Sequence, residues 1–317
     1  MQRSPSLEPE TSFRQGRGAT PILKQGKQTV FGLLNLHKPA GITSRDVVNR
    51  VQRLVRPVKV GHAGTLDPLA TGVLVLGLGP ATRLVEYVQR LPKTYRAMFL
   101  FGRSSDTEDI AGQVVELADP PVPTHAALCG ALSRFVGSIE QVPPAYSALK
   151  VAGRRAYDMA RRGETVRLAP RTIEIYAAEL LDYRYPEVQL RLQCGSGTYV
   201  RSLGRDLARA LGSEAVMSAL VREAIGNFSL NDALSCDQLS LELVRQHLLP
   251  ATAGLGTLPR IELTAEEEAR LRKGQAVANR WQLAAGEAAA IAPAGDLMAI
   301  VEAAQGSIRP DKCFPPT

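Results

Sequence analysis

The 317-residue chain carries a formal net charge of +7, with 45% hydrophobic and 22% charged residues. A chain of that length can bury a large core and form one large domain plus a small one, and no apolar run reaches the ~18 residues that favour a membrane span. Cys129, Cys194, Cys236 and Cys313 stand far apart with no C-x-x-C pair, which argues against a disulfide framework or a zinc site; the N-terminus lacks the apolar core of a secretion signal, so the chain reads as cytoplasmic.

Residues 1–29 hold five basic and two acidic side chains in a polar, aperiodic stretch, which predicts a disordered basic tail. Val30 to Leu36 reads as a strand, stopped by the turn Lys38-Pro39-Ala40-Gly41. "TSRDVVNRVQRLVR" reads as a helix capped by Thr43 or Ser44, with Val47, Val51, Leu54 and Val55 on its apolar face and Arg50, Arg53 and Arg56 on another. "TGVLVLGLG" predicts a buried strand and "ATRLVEYVQRL" a helix. "TYRAMFLFG" and "RSSDTEDIAGQVVE" read as a hairpin-like pair, and residues 124–136 as a helix. A basic helix, "GRRAYDMARRGE", ends at Gly163. "EVQLRLQCG" alternates as a strand does, and "GTYVRSLGRDLARALG" opens a helix with Arg201, Arg205 and Arg209 one turn apart, opposite Leu203, Leu207 and Leu211.

A Gly/Pro/Ala-rich linker is predicted near "LLPATAGLGTLPRIEL", followed by a helix that Thr264 and Glu267 cap and Gly274 ends, then short strand-like runs. Irregular mixing of strands and helices predicts an α+β fold with a mixed or largely antiparallel sheet and a small β-rich C-terminal domain. Residues 258–317 carry a net charge of −1, residues 1–29 carry +3, and the middle carries +5. A basic middle suits a polyanionic partner or a solvated surface equally.

The segment "GHAGTLDPLATG" (61–72) isolates one carboxylate, Asp67. Pro68 biases Asp67 towards extended backbone, and Gly61, Gly64 and Gly72 allow tight turns and close approach of a ligand. Local chemistry leaves two readings open, a structural Asp that caps a turn and a rigidly held functional acid. The segment has no phosphate-binding loop, nucleophile elbow or dinucleotide fingerprint, and no companion acid of the glycosidase type nearby in sequence.

Five blocks, "LNLHKPAGITS", "KVGHAGTLDPLATGVLVLGLGPATRL", "KTYRAMFLFGRSSDTED", "VPPAYSALKVAGRRAYDMARRGE" and "GTYVRSLGRDLARALG", occur in an order that closely resembles the TruB family of bacterial tRNA pseudouridine(55) synthases. The resemblance spans about residues 30–228. It implies the pseudouridine synthase fold over residues 30–250, with a thumb-like insertion at about 143–170, and a PUA-like domain over 258–317. It further implies isomerisation of the T-loop uridine of tRNA on a flipped-out base, with no cofactor, metal, guide RNA, membrane or obligate protein partner.

By the same resemblance Asp67 matches the family's essential aspartate, ionised whether it attacks C1′, attacks C6 or serves a glycal route. Arg201 matches the arginine that pairs with it, and Tyr95 the tyrosine that stacks on the base and could remove a sugar proton. Tyr199 and Leu220 match residues beside the base, and His62 a histidine that enters the T loop and helps displace nucleotides. Lys38 matches a lysine at the active-site mouth, and Arg154, Arg155, Arg161 and Arg162 are implied phosphate contacts of the thumb. Two departures stand out: Val221 where relatives often carry a second arginine, leaving Arg222, and Ala111 where they often carry an acid. The alternatives are a non-catalytic tRNA-binding or folding module on the same scaffold, and a nucleosidase.

Overall fold

The structure, a computed structural model, describes residues 30–147, 149–151, 153–166 and 168–316; the predicted tail at 1–29 lies outside the described residues. Strand β1 (Gly32–Lys38) leads to helix α1 (Ser44–Val55). The Thr43 hydroxyl accepts from the Asp46 N–H while the Asp46 carboxylate accepts from the Thr43 N–H, a reciprocal cap that fixes where α1 starts. Val47, Val51 and Val55 are buried on β1 and its neighbour, and Arg53 and Arg56 face solvent, as the spacing predicts.

Strands β2 (Val60–His62) and β3 (Thr71–Leu78) follow. The predicted helix over 81–91 is only half α-helical: a 3₁₀ turn over Gly79–Leu84, with Pro80 at its start, continues into α2 (Val85–Arg90). Strand β4 (Lys93–Phe101) precedes the hairpin β5 (Arg103–Ser105) and β6 (Val114–Glu116), helix α3 (His125–Ser133) and β7 (Gly137–Gln141).

The predicted basic helix is a correction. Arg154 and Arg155 form strand β9 (Arg154–Arg155), paired with β8 (Lys150–Val151), and α4 covers only Ala156–Ala160. The pairing of Lys150 with Arg155 takes the first arginines out of the helix, and Gly163, at φ +74°, does end the segment. Strands β10 (Arg171–Arg184) and β11 (Glu187–Cys194) form a long antiparallel pair, followed by α5 (Val200–Arg209), β12 (Ala215–Ile225), and short strands β13 (Phe228–Ser229) and β14 (Leu234–Ser235).

These strands build one large sheet in the order β14-β1-β3-β12-β4-β11-β10-β7, with β2 on β3 and β13 on β12. Only β1–β14 and β3–β12 are parallel, so the sheet is mixed and largely antiparallel, as predicted. The inward side chains of β4 and β11, among them Phe99, Phe101, Leu190 and Leu192, are covered by α3 and α5. Gly204 is what lets α5 lie so close: a Cβ there would come within 2.2 Å of the Phe99 ring.

Beyond α6 (Leu241–Gln246) the predicted linker proves to be packed structure. Leu33 and Leu249 exchange both backbone hydrogen bonds, and Ala251 and Leu255 are buried with Leu33 and Val88. Strands β15 (Arg260–Glu262), β16 (Val277–Ala278), β17 (Gly286–Ile291), β18 (Leu297–Ala304) and β19 (Ser307–Cys313), with α7 (Ala265–Arg272), make the small β-rich unit, which fits the expected PUA-like type. Ala289, Leu297, Ile300 and Phe314 share a core with Phe31, Leu33 of β1 and Leu84 of the 3₁₀ turn, so the unit is seated on the main body.

Candidate active site

Asp67 sits in the loop between β2 and β3, and that loop is pinned at several points. Ser44 at the start of α1 receives the Leu66 N–H at 2.8 Å, and Pro68 O accepts from the Gly41 N–H at 2.8 Å. The Lys38 ammonium donates to Pro39 O, Pro68 O and Ala70 O, at 2.8, 3.3 and 2.7 Å. Lys38 is fully buried at the end of β1. The structure therefore corrects its expected position at the active-site mouth: it lies behind the loop and holds its backbone. Gly72 closes the loop at φ +106°, where a Cβ would collide with the Arg222 backbone at 2.2 Å.

The Asp67 carboxylate, about one-third exposed, meets the Nε of Arg201 at 2.9 Å across 134 residues of chain. Arg201 is buried on the first turn of α5 and every side of its guanidinium is occupied. Nη1 donates to Thr107 O at 2.6 Å and lies 3.6 Å from the Asp109 carboxylate, and Nη2 donates to Tyr146 O at 3.1 Å. Asp109, itself buried, also accepts from the Thr107 hydroxyl and the Ala111 N–H. One cation is thus shared by a sequestered carboxylate and an open one, a charge-assisted clamp that aims Asp67 outward and keeps it beside a fixed positive charge.

Arg205, one turn on, is also buried. It pairs with Glu108 and with Asp206 at 2.8 Å, and donates to Val142 O at 2.9 Å. Only Arg209 of the predicted arginine ladder faces solvent.

Asp67 and Arg201 open into a cavity of about 510 Å³ whose walls include Tyr95, Tyr199, Leu220 and Arg222. Tyr95 projects inward from β4 and is 9% exposed; burial pushes its phenol pKa up, with the neighbouring Arg222 opposing, so the ring carries a proton at neutral pH. Tyr199 is fixed through its backbone, because Gln141 of β7 accepts its N–H at 2.9 Å and donates to its C=O at 3.0 Å. Arg222 is buried on β12, with Nε donating to Val73 O at 2.7 Å and Nη2 to Gly64 O at 3.1 Å. Sequence reasoning did not place Arg222, Asp109 or Gln141 in the site; for Arg222 the one signal was the charged pair Arg222-Glu223 inside the otherwise apolar run "SALVREAI".

His62 on β2 is half-buried and does not line the cavity; its Nδ1 is buried without a partner, and burial pushes its pKa down. In the 143–170 segment Arg154 pairs with Glu164 at 2.6 Å, Arg161 stacks on Tyr157 at 4.6 Å, and Arg162 is exposed. The Arg155 side chain lies outside the described residues. Among the described residues no group of three or more His, Cys, Asp or Glu side chains could hold a metal, and no helix is long and apolar enough to cross a membrane.

Lys38 supplies a prediction. Its pKa is lowered to about 8, chiefly by burial, against 10.5 when free. Between those values the unfolded chain binds more protons than the folded one, so this group makes stability rise from pH 8 to 10.5. Urea titrations across that range should show the rise in the wild type and a smaller one in Lys38→Met. The same variant should lose about 10-fold or more in kcat, because the Asp67 loop loosens, with RNA affinity changed less than about twofold.

The pattern described as TruB family pseudouridylate synthase (N terminal domain) matches residues 52–200. A protein of Rhodospirillum rubrum called tRNA pseudouridine synthase B is 43% identical over 296 residues, covering 89% of this chain and 96% of its own. One of the same name from Bradyrhizobium diazoefficiens is 40% identical, covering 92% and 88%. Among solved structures, an H/ACA RNP bound to a substrate RNA containing 2′-deoxyuridine aligns with a TM-score of 0.70 at 25% identity, over 91% of this chain and 86% of the other.

Proposed function

The chain belongs to the TruB family of pseudouridine synthases, isomerases that act on tRNA, and from that membership we propose that it converts the T-loop uridine at position 55 to pseudouridine with Asp67 as its catalytic carboxylate. The observation that carries this reading is the clamped carboxylate: Asp67, held by Arg201 at 2.9 Å, opens into a cavity walled by Tyr95, Tyr199 and Leu220. About 510 Å³ accommodates a nucleoside but not a duplex, so the uridine enters flipped from its stack. Unstacking costs a few kcal/mol, which packing against Tyr95 and Leu220 offsets.

The reaction breaks the N1–C1′ bond, turns the base, joins C5 to C1′, and moves a proton from C5 to N1, so it needs no redox partner and no energy source. One ionised carboxylate suffices to stabilise or trap the separated sugar or base, whether it attacks C1′, attacks C6 or assists a glycal route. That is why Asp67 needs no second acid beside it. Arg201 orients the carboxylate, and the neutral Tyr95 phenol supplies a stacking face and an O–H beside the sugar. The enzyme acts on tRNA, a reading supported by relatives called tRNA pseudouridine synthase B along nearly the whole chain, and the proposal places it in the cytoplasm, working without a guide RNA.

Nucleoside analysis of a tRNA transcript digested after incubation tests the reaction class. One uridine replaced by an isomer of equal mass is the expected result, whereas free uracil or ribose would mean a nucleosidase.

The thumb is the second contact with RNA. Arg161 and Arg162 are exposed, and Arg161 stacks on Tyr157, which lines the cavity, so both are free to meet phosphates of a bound RNA. Replacing both with Glu should weaken tRNA binding and reduce the slope of log affinity against log salt by about 1.5 or more. An unchanged slope would remove these two residues from the interface.

A further inference from the structure

Among the described residues, three arginines line the cavity: Arg171, Arg201 and Arg222. Two have their charge or their N–H groups answered from within the protein, Arg201 by Asp67 and Asp109, and Arg222 by two backbone carbonyls. Arg171 is different. No carboxylate among the described residues pairs with it, and its Nε–H is buried without a hydrogen-bond acceptor. A desolvated donor left unpaired is costly, and a ligand that supplies the acceptor recovers the cost.

The position of Arg171 is also built rather than accidental. It opens β10 and sits opposite Gln141 of β7, the residue that clamps the Tyr199 backbone. Its guanidinium lies over the Tyr199 ring at 4.8 Å, which holds the plane still and leaves its edge free to donate. On another side is Gly197, at φ +88°, where a Cβ would stand 3.3 Å from Nη2. Gly197 and Ser196 are exposed, so this end of the cavity is its rim. A flat, pre-oriented cation there matches a tetrahedral anion better than a neutral base edge, and the only anion a flipped uridine brings with it is a phosphodiester.

We propose that Arg171 binds a phosphodiester flanking the flipped uridine and so sets how deeply the nucleotide enters the cavity. This rests on the reading of the cavity as the uridine site. Arg171 is a binding residue, distinct from the Asp67–Arg201 clamp.

The test uses T stem-loop RNA carrying one neutral methylphosphonate, either 5′ or 3′ of the target uridine. Binding is measured in the Asp67→Asn background, with and without Arg171→Gln, alongside single-turnover kinetics in the otherwise native enzyme. With Arg171 present, one of the two methylphosphonates should weaken binding about 10-fold; with Gln in its place the same substitution should cost less than about twofold. Arg171→Lys keeps the charge but loses the planar stack, so it should restore part of the sensitivity to the neutral linkage. It also keeps the test alive if the Gln variant folds poorly.

Effects that multiply at both phosphate positions, for Gln and Lys alike, would overturn the assignment even in a fully active enzyme. Coupling at one position in a protein that makes no pseudouridine would instead overturn the isomerase reading and leave the phosphate contact standing.

Discussion

Asp67→Asn is expected to lower single-turnover pseudouridine formation by at least ~10³-fold while tRNA affinity stays within about twofold. The substitution keeps the shape of the side chain and an oxygen that can still accept from the Arg201 Nε, so the clamp and the loop behind it persist. What disappears is the negative charge, and every route that separates base from sugar depends on that charge. Stability should barely change, because Arg201 still answers Asp109. A rate assay and a binding isotherm on the same preparation check this. Full activity in the Asn variant would remove Asp67 from the chemistry.

The second large effect is at Arg201, where catalysis and stability fall together. Arg201→Ala strips from Asp109, a carboxylate 5% exposed, the one guanidinium that meets it among the described residues, and leaves Thr107 O and Tyr146 O without their donor. Removing one partner of a buried pair costs about 3–5 kcal/mol, so a fall of many degrees in Tm is expected. At temperatures where the variant is still folded, kcat should drop about 10²- to 10³-fold, because Asp67 loses its orienting cation. RNA affinity should change far less, since Arg201 is spent on the protein's own carboxylates and carbonyls. Equal losses of catalysis and of tRNA binding, with an unchanged melting profile, would mean that Arg201 faces the RNA instead.

Much of the fold could be read from the chain where its chemistry is local. The α1 cap, the apolar face of that helix, the buried run of β3 and the clean alternation of β11 all follow from spacing alone. Strands β10 and β12 were missed for one shared reason. Each carries two breaks of register, at Ile175/Ala177 and Leu180/Asp182, and at Met217/Ala219 and Arg222/Ala224. A bulge shifts the inward face by one residue, so the two-residue period holds only in short pieces between the breaks. The linker was misjudged because its glycines and alanines suggested flexibility, whereas Gly254 serves packing: a Cβ there would press on Leu33 at 2.7 Å.

The site divides differently. Asp67, Tyr95, Tyr199, Arg201 and Leu220, which line the cavity together, come from family resemblance, since spacing alone leaves Asp67 either a turn residue or a functional acid and Arg201 one rung of a solvated or phosphate-facing row. Its first two rungs, Arg201 and Arg205, are buried because the 105–110 loop brings Glu108 and Asp109 against α5, a contact across more than ninety residues that no periodicity encodes. Arg222, which the resemblance leaves only as a basic residue beside Val221, is buried for the same cause, its partners lying 149 and 158 residues away. Lys38 shows the opposite error: the resemblance puts it at the active-site mouth, and only the structure reveals that its ammonium is buried and donates to Pro39 O, Pro68 O and Ala70 O.

The most direct measurement is to incubate the purified protein with unmodified tRNA transcript and no added cofactor, then map pseudouridine by carbodiimide labelling and primer extension. A single stop at the T-loop uridine, absent with Asp67→Asn, is the predicted result. No stop, with tRNA still bound, would contradict the isomerase assignment and leave a tRNA-binding protein on a synthase scaffold.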